Sequence, residues 1–376
     1  MTTPTTPDEI LTQILKRAAT QTNSVITNDE IRKRIENACR EPSNRACARF
    51  LMACLLAKVH QPHVDPRKPY TEINAPDAFS GRVYDEEYIA NFIRQNRLPL
   101  NSTTAFLTPA FRTINQPLTK NIDLVGNPRK LYRETLELLD DVCQNRVTAE
   151  EVLTEVIRVL LLMRFENQNR ISDLLSRRTY KDNLPLSSEE IVDLIEQHLK
   201  CRNSSRLPVL IVAAAYNSVG EKLGERLLPL QKHNAADTQT GSLGDLEVSL
   251  TNEDSVVTIY EMKMKRVTLG DIDKAVEKIA SSSTRIHNYI FITTEVISKE
   301  VKSQAKGCYE QTGGTEVAVL DCIGFLRHFL HFFHRSRAKF LDAYQELVLS
   351  EPDSAVNQSL KEAFLILRQV AESDRE

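Results

Sequence analysis

Glycine is confined almost entirely to the second half of this 376-residue chain. Nine of its 11 glycines follow residue 219, and the overall share of about 3% is well below the usual ~7%. Glycine supplies the backbone conformations that tight turns require, so turn-rich structure must be concentrated in the C-terminal part. We therefore expect the first 219 residues to form mostly helices and irregular loops.

Proline has the opposite distribution and divides the first half. Eight of the 15 prolines lie between residues 62 and 128. Proline removes a backbone donor and restricts the preceding residue, which excludes one regular helix or a set of central strands here. Seven aromatic residues argue against disorder because they can anchor the stretch in a core. These are Tyr70, Phe79, Tyr84, Tyr88, Phe92, Phe106 and Phe111.

Hydrophobic periodicity predicts helices first and strands later. Apolar residues recur at helical spacing over residues 9–60, 131–175 and 323–368, and a helix is predicted from 208 to about 228. Thr27, Asn28 and Asp29 stand just before Ile31 and offer a plausible N-cap, and Ser187 with Glu190 forms a capping-box pattern. The period changes to 2 for strands at 245–250, 256–263, 289–293 and 317–320, with helices at 271–280 and 297–306 between them.

These elements predict a mixed α/β protein with two parts. We place a helical and loop-rich region at residues 1–185, and an α/β core with C-terminal helices at residues 186–376. The polar segment 202–206 lies close to this boundary. A chain of this length can bury a core without disulfides or structural metal.

Cysteine usage and the apolar runs suggest a cytoplasmic location. The seven cysteines show no C-x-x-C pair, which is typical of free thiols in a reducing compartment. The N-terminus carries no basic-then-apolar signal peptide. No apolar run approaches the roughly 18 residues of a membrane span, so we expect no membrane association.

The most informative motif combines an acid with a later Glu-x-Lys. Asp245 and Glu261 lie equally far from Glu253, at the centre of a predicted hairpin turn, which places the two acids opposite each other. Two carboxylates at that separation favour a bound cation such as Mg²⁺. Lys263 shares the face of Glu261 because side chains alternate along a strand. This set of groups suits metal-assisted hydrolysis of a phosphodiester, with Lys263 orienting a water or stabilising charge.

The same residues could instead be ordinary charges on a solvated sheet face. What favours a catalytic interpretation is the hairpin spacing, together with a preceding helix and the helix–strand–helix units that follow.

The arrangement of Asp245, Glu261 and Lys263 resembles the active site of PD-(D/E)XK nucleases. More widely, the chain resembles the SacI family of type II restriction endonucleases. The similar stretches are RKPYTE at 67–72, FSGRVYDE at 79–86, TTAFLTP at 103–109, HNAADTQTG at 233–241 and FLRHFLH at 325–331.

The resemblance implies a central mixed sheet flanked by helices and a Mg²⁺-dependent homodimer that cleaves double-stranded DNA at a short palindrome, such as GAGCTC. It also implies that Asp245 and Glu261 hold the metal and that Lys263 acts on the water. Gly244 replaces the proline of the superfamily's motif, which leaves Asp237 as a rival acid. Glu225, predicted to lie on the preceding helix, is a possible accessory ligand or a structural carboxylate.

A local excess of positive charge marks a candidate DNA-binding region. The whole chain has a net charge of −3, but residues 92–133 contain seven basic residues against one acid. Arginine, asparagine and hydroxyl side chains are suited to contact bases or phosphates. An ordinary solvated loop is the alternative. The candidate DNA-binding residues are Arg94, Arg97, Thr103, Thr104, Arg112 and Asn115.

A second basic stripe follows Cys322. Steps of three residues place His328, His331 and His334 along one helical side, opposite a phenylalanine-rich side that includes Phe332. The stripe could face phosphate or a partner, or be a plain solvated face. Zinc binding is the least favoured interpretation, because the rings diverge by about 60° at each step.

Three functions remain open from the sequence. A type II restriction endonuclease is the leading prediction, with DNA recognition assigned to residues 1–185 and the PD-(D/E)XK nuclease core to residues 186–376. A repair or recombination nuclease with the same core is its nearest rival. A DNA-binding regulator without catalysis is the alternative from another class. A neighbouring DNA methyltransferase gene would favour the first, because a restriction enzyme without protection destroys its host.

Overall fold

The computed structural model describes residues 6–42, 45–101, 103–112, 114–176, 185–230, 243–253, 255–282 and 284–373. The chain divides into two compact units, residues 1–170 and residues 171–376. The division falls inside a long helix, earlier than the predicted boundary at 185. Assignment of DNA recognition to the first part and catalysis to the second stays a prediction.

The helical segments 46–57 and 152–160 of unit 1 are buried at every residue. Its helices are α1 (Pro7–Thr20), α2 (Asp29–Arg40), α3 (Ala46–His60), α4 (Gly81–Val83), α5 (Ala90–Gln95), α6 (Arg129–Cys143) and the first part of α7 (Ala149–Ser176). Every residue of α3 from Ala46 to Ala57 is buried, and α1, α2 and α6 pack against it. Of the three predicted N-cap candidates, Asn28 caps α2, since its side chain accepts from the backbone N–H groups of Glu30 and Ile31.

The proline-rich stretch is anchored in the core of unit 1 by its aromatic residues. A π-helical turn, Tyr84–Ile89, joins α4 to α5. The ring of Phe111 stacks on Phe50 of α3 with 4.0 Å between centroids. Phe106 packs so closely against Gly81 that a β-carbon on Gly81 would lie 2.4 Å from its ring. Apolar packing therefore orders a segment in which proline prevents regular structure.

In the part of unit 2 that the structure describes, five strands form a mixed sheet in the order β1 to β5. The strands are β1 (Glu225–Leu227), β2 (Leu246–Leu250), β3 (Val256–Lys263), β4 (Asn288–Thr293) and β5 (Glu316–Asp321). The β1/β2 and β2/β3 pairs are antiparallel, whereas β3/β4 and β4/β5 are parallel. The predicted mixed α/β class is confirmed.

Helices cover both faces of this sheet. They are α8 (Ser188–Leu199), α9 (Leu207–Leu223), α10 (Leu269–Ser281), α11 (Lys299–Gln311), α12 (Cys322–Phe332), α13 (Arg337–Ser350) and α14 (Gln358–Ser373). One core joins α10 and α11 to the sheet face that carries Ile259 and Phe291. The other joins α8, α9 and α12–α14 to the face that carries Leu246 and Tyr260. None of the helices described here is long and apolar enough to cross a membrane.

Two sequence-based expectations for unit 2 were wrong. The helix predicted to reach residue 228 ends at Leu223, because Gly224 takes a left-handed conformation at φ +67° and caps it. Glu225 therefore begins a strand instead of lying on that helix. Phe332 was expected on the apolar side of its helix, but it is 69% exposed because α12 ends there and the chain turns into α13.

Candidate active site

The β2–β3 hairpin places Asp245 opposite Glu261. The antiparallel ladder ends with Leu246 opposite Tyr260, so Asp245 and Glu261 are the next residues beyond this pair. The backbone N–H of Asp245 donates to the Tyr260 carbonyl at 2.9 Å. Its Oδ2 accepts from the backbone N–H of Met262 at 2.7 Å. These contacts hold the Asp245 carboxylate against β3, beside the residue that follows Glu261.

Gly244 lies where the chain before β2 approaches β3 closely. A β-carbon at Gly244 would lie 2.5 Å from Cγ2 of Ile259 and 2.8 Å from the carbonyl oxygen of Tyr260. Both distances are shorter than van der Waals contact, so any side chain would push the two strands apart. The close approach of β3 therefore explains why glycine precedes Asp245 in this chain.

The carboxylate of Glu261 is surrounded by donors. Its Oε1 accepts from Nζ of Lys263 at 2.7 Å. Its Oε2 accepts from the hydroxyl of Tyr289 and lies 3.3 Å from Nζ of Lys278. Burial alone would raise the pKa of the Glu261 carboxyl, but the hydrogen bonds from Lys263 and Tyr289 outweigh it and hold this pKa below its usual value. Glu261 is therefore ionised at neutral pH.

Lys263 is held between two carboxylates. Besides Glu261, its ammonium nitrogen contacts Oδ1 of Asp271 on α10 at 3.2 Å. Burial would lower the pKa of Lys263, but its pairing with Glu261 and Asp271 raises it. Lys263 is therefore a fixed cation at this site, suited to stabilise negative charge rather than to accept a proton.

Sequence reasoning did not identify Asp271, Lys278 or Tyr289 as site residues. Asp271 had a local signal, since Thr268 and Asp271 form a capping box that begins α10 soon after β3 ends. Tyr289 pairs with Ile259 in the parallel ladder, which brings its hydroxyl to Glu261. Neither the Tyr289 contact nor the Lys278 contact has a signature in sequence spacing, because both depend on how α10 and β4 fold back onto β3.

Glu225 lies on the other face of the sheet. It pairs with Leu250, whose side chain points away from the face of Asp245 and Glu261. The carboxylate of Glu225 instead hydrogen-bonds Tyr216, whose hydroxyl lies 3.0 Å from that of Tyr260. Burial raises the pKa of Tyr216, and Glu225 raises it further. Glu225 is therefore not placed to serve as an accessory ligand, and Asp237 lies outside the described residues.

The donor set fits a hard cation that keeps several other ligands. Asp245 and Glu261 supply carboxylate oxygens beside neighbouring residues of β3, and Mg²⁺ prefers ligands of this type. Among the described residues, no group of three His, Cys, Asp or Glu side chains forms a metal cluster. Mg²⁺ commonly binds through one or two carboxylates with water and substrate phosphate, so a two-carboxylate site suits it.

Five of the six candidate DNA-binding residues lie on the surface of unit 1. Arg94, Arg97, Thr103, Arg112 and Asn115 are all exposed. Thr104 is not, because it is only 7% exposed and its hydroxyl donates to the buried Asp85 at 2.6 Å. The prediction for Thr104 is therefore corrected: it is a structural residue.

Acidic neighbours reduce the positive charge of the 92–133 stretch. Lys120, Arg129 and Lys130 lie 3.9, 3.6 and 3.6 Å from carboxylate oxygens of Asp140, Asp123 and Glu134. Arg97 and Arg112 are exposed and form no ion pair with any residue that the structure describes. Arg94 and Arg133 are also exposed and likewise form no ion pair with a described residue, so these four arginines are available to contact an anionic ligand.

The histidine stripe is partly neutralised. Glu189 of α8 accepts from Nε2 of His331 at 2.8 Å and from Nε of Arg327 at 3.1 Å. The three histidines also leave the helical line, since α12 ends at Phe332 and His334 begins a 3₁₀ turn. The described part of the chain thus offers no histidine metal site here.

Comparison with known proteins gives one family. Residues 183–294 match the sequence model of the family described as the SacI restriction endonuclease C-terminal domain. That segment contains Asp245, Glu261 and Lys263, together with Asp271, Lys278 and Tyr289. A search of curated proteins finds no match.

Proposed function

We propose that the protein is a type II restriction endonuclease, because residues 183–294 match the model of the SacI restriction endonuclease C-terminal domain. It hydrolyses phosphodiester bonds of double-stranded DNA at a short palindromic site and requires Mg²⁺. The observation that supports this proposal is that the Asp245 carboxylate contacts β3 next to Glu261, whose own carboxylate pairs with Lys263.

Each residue of the site has a distinct task in the proposed reaction. Asp245 and Glu261 would hold the Mg²⁺, which would polarise the phosphate and acidify a water when bound. Lys263 directs its ammonium group toward the attacking water or the developing negative charge on the phosphate. Glu261 and Asp271 hold Lys263 in place, which reduces the reorganisation needed at the moment of reaction.

In this proposal DNA is read by unit 1 and the enzyme works as a homodimer. Arg97 and Arg112, with Thr103 and Asn115 nearby in sequence, supply exposed groups that suit phosphates and base edges. A palindromic site matches the two-fold symmetry of a dimer, so each protomer would cut one strand. The resemblance stated above points to GAGCTC as the first sequence to test.

The experiment is cleavage of plasmid DNA of known sequence with Mg²⁺ by wild type, Lys263→Ala and Lys265→Ala. Lys265 is an exposed lysine just after β3 and serves as the matched control. We expect wild type and Lys265→Ala to give the same discrete fragments, and Lys263→Ala to lose at least about 100-fold in rate. Sequencing the fragment ends defines the recognition site and the cut position.

Other results would overturn parts of the proposal. Equal cleavage by Lys263→Ala would exclude the assigned site. Cleavage without discrete fragments would favour a repair or recombination nuclease. Specific, metal-independent DNA binding with no product would favour a regulator.

A further inference from the structure

Helix α10 contributes one charged side chain to each member of the Glu261–Lys263 pair. Asp271 and Lys278 are seven residues apart, which is two helical turns, so they lie on the same face of α10. Asp271 contacts Lys263, and Lys278 contacts Glu261. Helix α10 thus pairs its Asp271 with Lys263 and its Lys278 with Glu261.

The ammonium group of Lys278 occupies a position that resembles that of a bound cation. Its nitrogen lies 3.3 Å from Oε2 of Glu261 and 3.2 Å from the carbonyl oxygen of Leu243. The Tyr289 hydroxyl also donates to Oε2 of Glu261. The Lys278 ammonium group therefore contacts two oxygens. One belongs to the Glu261 carboxylate that is assigned to the metal, and the other is the backbone carbonyl of Leu243.

We propose that Lys278 sets how tightly this site binds a divalent cation, by acting as a competing cation on Glu261. This inference rests on the proposed function, because it takes Asp245 and Glu261 as the metal ligands. A cation on Glu261 meets repulsion from an ammonium group that already contacts Oε2. Like charges at such distances oppose each other strongly where the surroundings are partly buried.

Lys278 is a positioning residue in this proposal, not a ligand. It neutralises one carboxylate charge and must give up its contact, or accept a positive neighbour, when the cation binds. Removing its charge therefore strengthens cation binding, whereas an essential support for Glu261 would weaken it on removal. The direction of the change separates the two roles.

The test measures Mn²⁺ binding without DNA, so that no cleavage is involved. Mn²⁺ suits the same oxygen ligands as Mg²⁺, and its unbound form is measured directly by electron paramagnetic resonance. The full-length proteins are wild type, Lys278→Met, Lys274→Met and Asp245→Asn, each stripped of divalent cations with a chelator. Lys274 is an exposed lysine of α10, so Lys274→Met makes the same substitution away from the site.

We expect the Kd for Mn²⁺ to fall about tenfold in Lys278→Met, the size seen when a neighbour of a metal ligand is changed. Lys274→Met should match wild type, and Asp245→Asn should lose the site. Lys278→Arg, which keeps the charge, should bind as wild type does. If Lys278→Met does not fold, Lys278→Gln removes the same charge and gives the same comparison.

Two results overturn the proposal and are distinguishable. Asp245-dependent binding with an unchanged or higher Kd in Lys278→Met would exclude competition by Lys278, while leaving the metal site intact. The absence of Asp245-dependent binding in every variant would overturn both this inference and the metal assignment on which it rests.

Discussion

The ammonium nitrogen of Lys263 lies 3.2 Å from Oδ1 of Asp271, whose other carboxylate oxygen accepts from the backbone and side chain of Thr268. One residue thus both begins helix α10 and holds the proposed catalytic lysine. We expect Asp271→Asn to keep the helix cap but slow DNA cleavage roughly tenfold, because a hydrogen bond between charged groups contributes about 1.5 kcal/mol.

The measurement is single-turnover cleavage together with DNA affinity. Affinity should be unchanged, and Asp271→Glu should recover part of the rate. Glu277→Gln removes an exposed acid from the same helix and is the control. Cleavage by Asp271→Asn at the wild-type rate would show that Lys263 does not depend on this contact.

Two glutamates of the sheet, Glu261 and Glu225, are expected to differ in how strongly their substitution reduces cleavage. Glu261→Gln should reduce cleavage by at least about 100-fold, since it removes a proposed ligand and a partner of Lys263. Glu225→Gln should leave cleavage within about twofold of wild type, because Glu225 contacts Tyr216 on the opposite face. A large loss in Glu225→Gln would mean that this carboxylate reaches the reaction.

The exposed arginines of unit 1 predict a salt-dependent contribution to DNA binding. Arg97→Ala and Arg112→Ala should each weaken binding and reduce the slope of log K against log salt by about 1 if the residue contacts a phosphate. Lys16→Ala, at an exposed lysine of α1 outside the basic stretch, is the control. Unchanged slopes in both arginine variants would indicate that the protein contacts DNA phosphates through other residues.

Breaking a buried ion pair of unit 1 should destabilise the protein strongly. Nε of Arg49 donates to Oδ1 of Asp85 at 2.6 Å, and both side chains are almost fully buried. Asp85→Asn would leave the Arg49 charge unpaired, so the free energy of unfolding should fall by about 3–5 kcal/mol. Urea denaturation measures it. Glu86→Gln, at the exposed neighbouring acid, should change stability by less than ~1 kcal/mol.

A buried histidine predicts acid sensitivity. Burial lowers the pKa of His198 from 6.5 to about 4, while its Nε2 donates to the Leu360 carbonyl. The unfolded chain therefore takes up the proton first as pH falls. The stability contributed by neutral His198 is fully present above pH 6.5. As the pH falls from 6.5 to 4, the free energy of unfolding decreases by roughly 3 kcal/mol.

Urea denaturation at a series of pH values tests this expectation. His198→Gln should flatten the dependence in that window, whereas His287→Gln, at an exposed histidine, should leave it unchanged. An equal slope in His198→Gln and wild type would assign the acid sensitivity to other groups.

Several features were predictable because neighbours in sequence decide them. The caps at Asn28 and Ser187 depend on residues three positions apart. The Asp245–Glu261 register follows from alternation along two strands joined by a short turn. By contrast, the wrong helix end near 228 came from hydrophobic periodicity that continued past Gly224.

The sequence by itself determined the mixed α/β class, the aromatic anchoring of the proline-rich stretch and the hairpin that pairs Asp245 with Glu261. Tertiary structure alone decided that Asp271, Lys278 and Tyr289 surround the Glu261–Lys263 pair, and that Thr104 is buried against Asp85. The physical reason is the separation along the sequence of the residues that make each contact. Caps form between residues a few positions apart, and a hairpin register forms across one short turn. These tertiary contacts instead require α10 and β4 to pack against β3, and Thr104 to pack against the π-helical turn.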